Sequence, residues 1–379
     1  MCASSHAAVP NTHRILSVIG TRPEAIKMAP VVHALDAAPW AESRVLTTGQ
    51  HRDMVDDQLA FFGVTTDLAL DVMKPGQDLT SLTAAILPAL DDALRSVQPA
   101  LVLAQGDTTT VLAAALACYY RRVPFGHVEA GLRTGDLTAP FPEEANRVVA
   151  DRLAALAFAP TERAEQQLRS EGRTEGVYVT GNTVVDALVW TRARLPRSEG
   201  DPQARRRLLV TTHRRESVGD GIRGILEATA QLAARGDVEV LLPVHPNPAV
   251  AAAVRERLAG VDGVTLTPPL SYPEMVLQLD RCHIVLTDSG GVQEEAPSLG
   301  KPVLVLRDVT ERVEGVEAGT AKLVGTAPRA IVDAANALLD DDDAYAAMAK
   351  ISNPYGDGAA APRIVARCRS FLDAQPLQA

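Results

Sequence analysis

Short apolar runs rich in β-branched residues alternate along the chain with longer Ala- and Leu-rich segments that have helical spacing of their apolar positions. The runs of the first half are RILSVIG, RVLTTG, ALVLAQG, VPFGHV, LAFAP and GVYVTG, and those of the second half are RRLLVTT, VEVLLPV, VTLTP, HIVLTD and KPVLVL. Continuous apolar runs of this length are typical of parallel strands buried on both faces, with helices connecting one strand to the next. The pattern therefore predicts an α/β protein with two doubly wound, Rossmann-like domains.

A polar and basic segment, TRARLPRSEGDPQARRR at residues 191–207, separates the two series of strands and predicts the linker between the domains. The length of 379 residues favours two domains, because one hydrophobic core rarely extends beyond ~250–300 residues. We predict a disordered tail at 1–13, an N-terminal domain at 14–190, a C-terminal domain at 208–357, and a final helix at 358–379 that crosses back to the N-terminal domain.

The composition restricts the kinds of partner and location that we expect. A net charge of −10 removes the long-range attraction that nucleic acid or an anionic membrane surface requires. Four cysteines without a C-x-x-C pair are typical of reduced thiols in a cytosolic protein, not of a zinc site. The polar start of the chain lacks the features of a signal peptide, and no apolar run is long enough to span a bilayer. We therefore expect a cytoplasmic protein with no nucleic-acid partner, no membrane partner and no metal.

The first predicted strand ends in a turn that carries positive charge. Gly20 and Arg22 follow RILSVI, and Lys27 lies one turn into the next helix. A glycine turn that opens a helix with Pro near its first position leaves N–H groups free for an anion. Turns of this kind are common, so a solvated Lys27 remains an alternative.

Three carboxylates follow strands or begin a helix in the first half of the chain. Asp107 follows ALVLAQ, Glu129 follows VPFGHV, and Glu143 begins a helix in FPEEANR. Structural roles are available for two of them, because Asp107 can cap a helix and Glu143 can complement the helix dipole and pair with Arg147. These roles do not explain why three acids gather at the expected ligand-binding edge, as acid–base chemistry on an uncharged carbon requires.

Two histidines follow strands in the second half. His213 comes after RRLLVTT beside two arginines, and His245 lies in PVHPNP. A structural histidine is the alternative, but the placement at strand ends beside positive charge predicts that both imidazoles face an anion.

The segment LTDSGGVQEE joins a strand to a turn made of Ser289, Gly290 and Gly291. Without side chains, the glycines let a phosphate approach backbone N–H groups at the start of a helix. Glu294 and Glu295 are expected in the first turn of that helix, where carboxylates near a phosphate would bond hydroxyl groups such as those of ribose. The site thus predicts a nucleoside diphosphate, while the lack of G-x-G-x-x-G and G-x-x-x-x-G-K-[ST] motifs argues against a nicotinamide cofactor and nucleotide hydrolysis.

Taken in order, GTRPEAIKMAP, GDTTT, HVEAGLRTGD, PEEANR, HRRES, DSGGVQEEAPSLGKPV and NPYGDG resemble the non-hydrolysing UDP-N-acetylglucosamine 2-epimerases. The resemblance runs from about Arg14 to the end, with departures at Thr212, where the family often has Gly, and at Val313, where a Pro is usual. It implies a glycosyltransferase-B-type arrangement with the active site in the interdomain cleft. It also implies reversible epimerisation at C2 of a UDP-sugar through elimination and re-addition of UDP, without a cofactor, and a homodimer.

The resemblance implies roles for matching positions. Asp107, Glu129 and Glu143 correspond to the acid–base residues, with Arg147 and His213 in support. Residues expected to line the substrate site are Arg22, Lys27, Ser289, Gly290, Gly291 and Glu295, and His245 joins them from its place after a strand. Gln50, His51 and Arg52 match a segment involved in activation by the substrate at a neighbouring site.

Several alternatives stay open at the level of sequence. A hydrolysing epimerase would release free N-acetylmannosamine, a glycosyltransferase of similar fold would need an acceptor, and a sensor would bind UDP-sugar without turnover. The sequence does not assign base and acid among the carboxylates, and it does not say whether the sugar is modified at C3 or C6.

Overall fold

The computed structural model describes residues 12–49, 52–74, 76–196, 205–212 and 220–375. The described chain divides into two compact units. The first unit consists of the described residues up to Ala187 together with those from Gly358 onward, and the second unit is Leu188–Asp357. Gln50, His51, His213 and residues 197–204 of the predicted linker lie outside the described residues.

Within the described residues, the first unit contains a seven-stranded sheet in which all neighbouring strands are parallel. Its strands are β1 (His13–Ile19), β2 (Ala41–Thr47), β3 (Leu68–Ala69), β4 (Leu101–Gln105), β5 (Phe125–Val128), β6 (Leu156–Ala159) and β7 (Val177–Val179). The spatial order is β3-β2-β1-β4-β5-β6-β7. Because the order reverses between β1 and β4, the turns after these two strands lie where doubly wound sheets bind ligands.

Helices connect the strands of the first unit. They are α1 (Arg22–Asp36), α2 (Arg52–Phe62), α3 (Leu79–Val97), α4 (Thr109–Arg121), α5 (Glu143–Leu153) and α6 (Glu162–Ser170). α7 (Thr183–Arg192) follows β7, and its residues are divided between the two units. All five residues of β4 are buried, as expected for a central strand covered on both faces. On one face, Val102 and Ala104 of β4 pack with Ile86 and Leu90 of α3 and with Ala114 of α4. This rigid layer fixes the position of the turn that follows β4.

The second unit repeats the architecture with a six-stranded parallel sheet over the residues described. Its strands are β8 (Arg206–Thr211), β9 (Val238–Pro243), β10 (Val264–Thr267), β11 (Ile284–Thr287), β12 (Val303–Val305) and β13 (Ala321–Leu323). The spatial order is β10-β9-β8-β11-β12-β13, so the reversal lies between β8 and β11. The turn after β11 is the SGG segment, which therefore lies at the ligand-binding position of this sheet.

The helices of the second unit alternate with its strands. They are α8 (Asp220–Ala233), α9 (Pro248–Leu258), α10 (Tyr272–Arg281), α11 (Gly290–Glu295), α12 (Val313–Ala318), α13 (Pro328–Asp340) and α14 (Asp342–Ala349). A 3-10 turn at Ala296–Leu299 follows α11. The core of this unit includes Leu208 and Val210 of β8 with Ile225 and Leu226 of α8.

The last helix, α15 (Ala360–Asp373), belongs to the first unit and packs against α1. Its two first N–H groups, those of Ala360 and Ala361, donate to the Asp186 carboxylate at 3.1 and 2.8 Å. A carboxylate at this position satisfies helix N–H groups that would otherwise lack partners. Among the helices described, none is both long enough and apolar enough to cross a membrane.

The predicted fold class, two Rossmann-like α/β domains with parallel sheets, is confirmed. Two predicted boundaries differ slightly from the observed elements. β1 begins at His13, the last residue of the predicted tail, and β8 begins at Arg206, inside the predicted linker. α7 continues to Arg192, so the first residues of the predicted linker are helical.

Candidate active site

Glu129 follows β5 and lies buried beside a lysine. Its Oε2 atom accepts hydrogen bonds from Lys27 Nζ at 2.5 Å and from Gln105 Nε2 at 2.8 Å. The side chains of Lys27 and Glu129 are only 11% and 6% exposed. Glu129 has φ +65°, in the left-handed region that residues other than glycine seldom adopt. This conformation is energetically costly and persists only where the surrounding structure maintains it. Residues with such a backbone conformation cluster at functional sites.

Asp107 follows β4 and is paired with an arginine. Its Oδ2 atom lies 2.5 Å from a terminal nitrogen of Arg147, and its backbone carbonyl accepts from Asn146 Nδ2 at 2.9 Å. Arg147 and Asn146 both belong to α5. The Asp107 side chain is 30% exposed, whereas that of Arg147 is 8% exposed. The Asp107 carboxylate is therefore held by the buried Arg147 guanidinium and is still partly exposed to solvent.

The structure excludes Asp107 as a helix cap, one of the alternatives left by the sequence. The N-cap of α4 is Thr108, whose hydroxyl accepts from Val111 N. The same hydroxyl donates to Glu24 Oε1 at 2.6 Å. Thr108 takes the structural role, and Asp107 remains available for other interactions.

Glu24, in the first turn of α1, ties the turn after β1 to the turn after β4. Its Oε2 atom accepts from the backbone N–H of Gly20 at 2.5 Å and of Thr21 at 3.3 Å, while Oε1 faces Thr108. Burial raises the pKa of Glu24 to about 7, although the hydrogen bonds from Thr108, Gly20 and Thr21 oppose the shift. The folded state therefore binds a proton between pH 4.5 and 7 that the unfolded state has released.

We expect Glu24→Gln to change how stability depends on pH. A group with a raised acid pKa stabilises the fold at low pH, and this contribution is lost as pH rises through the folded value. The amide introduced by the substitution can accept from Gly20 and donate to Thr108 without titrating. Urea unfolding should show the variant gaining about 2 kcal/mol relative to wild type between pH 5 and 8. A difference that stays constant over this range would contradict the raised pKa.

Two further predicted residues of the first unit lie at helix starts. Glu143 is the half-buried first residue of α5. The sequence left a pair between Glu143 and Arg147 as a structural alternative, but Arg147 pairs with Glu144 at 3.2 Å and with Asp107. Glu144 also accepts from the backbone of Thr134 and thereby has a structural role. Arg22 is the exposed first residue of α1.

In the second unit, the SGG segment forms the predicted turn between β11 and a helix. Ser289 is the N-cap of α11, and its backbone N–H donates to Thr287 Oγ1 at 2.9 Å. A Cβ atom at Gly290 would lie 2.9 Å from Cζ of Arg312, so this position has room only for glycine while the guanidinium stays where it is. Arg312 follows β12 in TERVEG and was not identified as a site residue from the sequence. The sequence offered no signal for it, because Arg312 lies seven residues beyond the end of β12, as the N-cap of α12.

The two glutamates of α11 have protein partners. Because the helix begins at Gly290, Glu294 and Glu295 lie in its second turn, and their predicted place in the first turn is wrong. Glu294 Oε1 pairs with Nε of Arg312 at 3.0 Å. Glu295 Oε1 accepts from the Tyr272 hydroxyl at 2.9 Å, and burial together with this carboxylate raises the pKa of Tyr272 well above its ordinary value.

His245 follows β9 and is half-buried. Its Nδ1 atom accepts from the backbone N–H of Asn247 at 3.1 Å, so the neutral ring carries its hydrogen on Nε2. The other histidine of the sequence prediction, His213, lies in the segment that the structure does not describe. Arg52 is the first residue of α2.

The structure thus places Asp107 beside Arg147, Glu129 beside Lys27, and the SGG turn beside Arg312, which the sequence did not identify. No group of three His, Cys, Asp or Glu side chains suited to a metal ion occurs among the residues that the structure describes.

Comparison with known proteins assigns the chain to a family. The model of the family described as UDP-N-acetylglucosamine 2-epimerase matches residues 33–369. A probable UDP-N-acetylglucosamine 2-epimerase of Ralstonia nicotianae is 53% identical over 95% of this chain and 99% of its own length. The UDP-N-acetylglucosamine 2-epimerase of Escherichia coli is 48% identical over 93% of this chain and 97% of its own.

A solved structure is similar over nearly the same length. The UDP-GlcNAc 2-epimerase of Neisseria meningitidis, crystallised with UDP-GlcNAc bound, superimposes with a TM-score of 0.88 at 44% identity. The match covers 94% of this chain and all of the other. On these grounds the chain belongs to the UDP-N-acetylglucosamine 2-epimerase family.

Proposed function

We propose that the protein catalyses the reversible epimerisation of UDP-N-acetylglucosamine at C2, giving UDP-N-acetylmannosamine without hydrolysis of the sugar nucleotide. The observation that carries this proposal is the pair of carboxylates at the carboxyl edge of the first sheet. Asp107 and Glu129 are each held by a buried cation, Arg147 and Lys27 respectively. Membership of the epimerase family supports the same conclusion.

The reaction explains why two carboxylates are needed. The hydrogen on C2 is not next to a carbonyl group, so it becomes removable only as the C1–O bond to UDP breaks. One carboxylate takes the C2 proton as UDP leaves with the C1–O electron pair, which gives a sugar with a C1=C2 double bond. A second acid then returns a proton to the opposite face of C2, and UDP adds back to C1. Acid–base catalysis of this type contributes ~10²–10⁴-fold to a rate.

The groups around each carboxylate suit these roles. Arg147 and Lys27 donate hydrogen bonds to the carboxylates of Asp107 and Glu129 and so fix the orientation of each group. Glu143, the first residue of α5, is the third member of the proposed acid–base set. Arg147, on the same helix, supports the set. We assign Arg22 to the leaving diphosphate, as an exposed cation at the start of α1.

The second unit supplies the proposed nucleotide site. The backbone N–H groups of Gly290 and Gly291 offer partial positive charge to a diphosphate, and the Arg312 guanidinium beside Gly290 offers a full charge. His245 Nε2–H is a further donor. Glu295 is assigned to the ribose hydroxyls, as the sequence predicted. The position of the active site in an interdomain cleft, the role of His213, the homodimer and the activating role of residues 50–52 stay predictions.

Incubation with UDP-N-acetylglucosamine in D₂O tests the function. We expect proton NMR to show loss of the C2 proton signal and the appearance of the manno isomer. Both the gluco and the manno sugars should still be linked to UDP. Retention of the nucleotide linkage reflects re-addition of UDP before water reacts with the intermediate.

Each rival function gives a result that differs from epimerisation. Free N-acetylmannosamine with UDP as the main products would show a hydrolase. An unchanged C2 signal without an acceptor would favour a glycosyltransferase, and tight binding of UDP-sugar without any turnover would favour a sensor. Any of these three results would contradict the proposal.

A further inference from the structure

His127 and Asp151 form a buried pair next to the turn that carries Asp107. The pair has no part in the reaction as described so far. His127, in β5, is completely buried. Its Nδ1 atom lies 2.6 Å from Asp151 Oδ1, and its Nε2 atom lies 2.6 Å from the backbone carbonyl of Gly106. Asp151 belongs to α5, and Gly106 directly precedes Asp107.

The hydrogen bonds indicate the protonation state of His127. A carbonyl oxygen has no hydrogen, so the imidazole Nε2 must donate to Gly106. The second oxygen of Asp151 accepts from the Gly131 N–H at 3.1 Å and lies 2.8 Å from Arg133, which keeps the carboxyl group ionised. Nδ1 therefore donates as well, and the ring is an imidazolium.

The charges around the pair agree with this geometry. Burial is the largest single effect and would lower the pKa of His127, but the Asp151 carboxylate, the Gly106 carbonyl and Asp107 together outweigh it, so the pKa is raised. Burial would likewise raise the pKa of Asp151, but His127 and Arg133 hold it below its ordinary value.

The pair connects the three segments that carry the proposed acid–base residues. His127 holds the turn after β4 through Gly106, next to Asp107. Asp151 holds the turn after β5 through Gly131, two residues beyond Glu129, and lies on the same helix as Glu143. Displacement of a reacting group by 1 Å costs about 10²-fold in rate, so a buried link between these segments has kinetic consequences.

We propose that His127 is a positioning residue, which as an imidazolium between Asp151 and Gly106 fixes the turn that carries Asp107 relative to α5 and to the turn that carries Glu129. The kinetic part of this inference rests on the proposed function, whereas the protonation state of His127 does not.

Two substitutions test the two hydrogen bonds of the His127 ring one at a time. In His127→Gln the amide nitrogen takes the position of Nε2 and can still donate to Gly106. In His127→Asn the amide nitrogen takes the position of Nδ1 and can still donate to Asp151. Both variants remove the charge and the ring, so their losses of stability should be similar, which equilibrium unfolding would check.

We expect the two variants to differ in turnover of UDP-N-acetylglucosamine. Because His127→Asn leaves the Gly106 carbonyl without its donor, its kcat should fall at least ~10-fold with KM nearly unchanged, as for loss of an interaction that matters in the transition state. His127→Gln should retain several times more activity than His127→Asn. Wild-type kcat per folded molecule in both variants, or equal losses in both, would overturn the proposal.

An NMR measurement tests the protonation state without any substrate. In protein labelled with ¹⁵N-histidine, the resonances that disappear in either variant belong to His127. Two protonated ring nitrogens at pH 8 would support the imidazolium, and a neutral ring would overturn the proposal; one folded variant is enough for the assignment. If the wild type forms no epimer while the imidazolium signal is present, the proposed function fails and the ion pair stands.

Discussion

Glu129→Gln should reduce kcat for UDP-N-acetylglucosamine by ~10²–10⁴-fold, with little change in KM. The amide has the shape of the carboxylate and can still accept hydrogen bonds from Lys27 and Gln105, but it cannot take or return a proton. Steady-state kinetics, with NMR or a coupled assay for the manno product, would measure the loss. The partly exposed Glu165, paired with Arg169 on α6, provides a control, and Glu165→Gln should keep wild-type turnover.

The substitution also leaves the buried Lys27 ammonium without its counter-charge. Breaking such a pair by removing one partner costs about 3 kcal/mol of unfolding free energy, so the loss of activity has to be separated from a loss of folded protein. The double variant Lys27→Met, Glu129→Gln removes both charges, and replacing a buried ion pair by neutral groups is often close to neutral for stability. It should recover most of the stability while turnover stays low. Recovery of turnover together with stability would show that Glu129 is needed only for folding.

The backbone at Glu129 adds to this argument. With φ +65°, the residue holds a conformation that glycine would adopt at lower cost. A carboxylate at this position is therefore unfavourable for the fold itself. Its presence agrees with a chemical role for the side chain in the turn after β5.

The sequence predicted the regular parts of the fold because their apolar runs are long and buried. It missed the edge strands β3 and β13, which have only two and three residues and contain no β-branched side chain. Edge strands gain less from burial than central strands, so their sequences are less constrained. β3 and β13 are strands because they pair with β2 and β12. The sequences of these two short segments do not by themselves predict the pairing.

The sequence predicted where the residues of the candidate site lie along the chain, but not which side chains they pair with. Asp107 and Glu129 follow strands in the chain, and strand ends are visible in a sequence. The sequence left Asp107 as a possible helix cap, but Thr108 caps α4 and Asp107 pairs with Arg147, 40 residues further along the chain. His127 lies inside an apolar run and gave no signal beyond a strand residue, because its partner Asp151 is 24 residues away on α5.

Asp107→Asn should likewise lower kcat by ~10²–10⁴-fold. The carboxylate lies 2.5 Å from Arg147, and its side chain is 30% exposed. Asp91 is a matched control, because it also pairs with arginines in the first unit and its side chain is 26% exposed. Asp91→Asn neutralises a carboxylate of similar exposure, although its arginine partners are more exposed than Arg147. It should leave kcat unchanged, so a difference in kcat per folded molecule between the two variants is expected to report the chemistry of Asp107.

Comparison of Asp107→Asn with Glu129→Gln in D₂O can assign the base. If the two carboxylates serve opposite faces of C2, the variant that retains the base for the gluco face can still remove the C2 proton and return a deuteron to the same face. It should then incorporate deuterium into UDP-N-acetylglucosamine while forming almost no manno isomer, and the other variant should do neither. Starting from the manno isomer, the roles of the two variants should be exchanged. Epimer formation at the wild-type rate by either variant would contradict a role for that carboxylate in proton transfer, because no amide in its place can accept the proton that leaves C2.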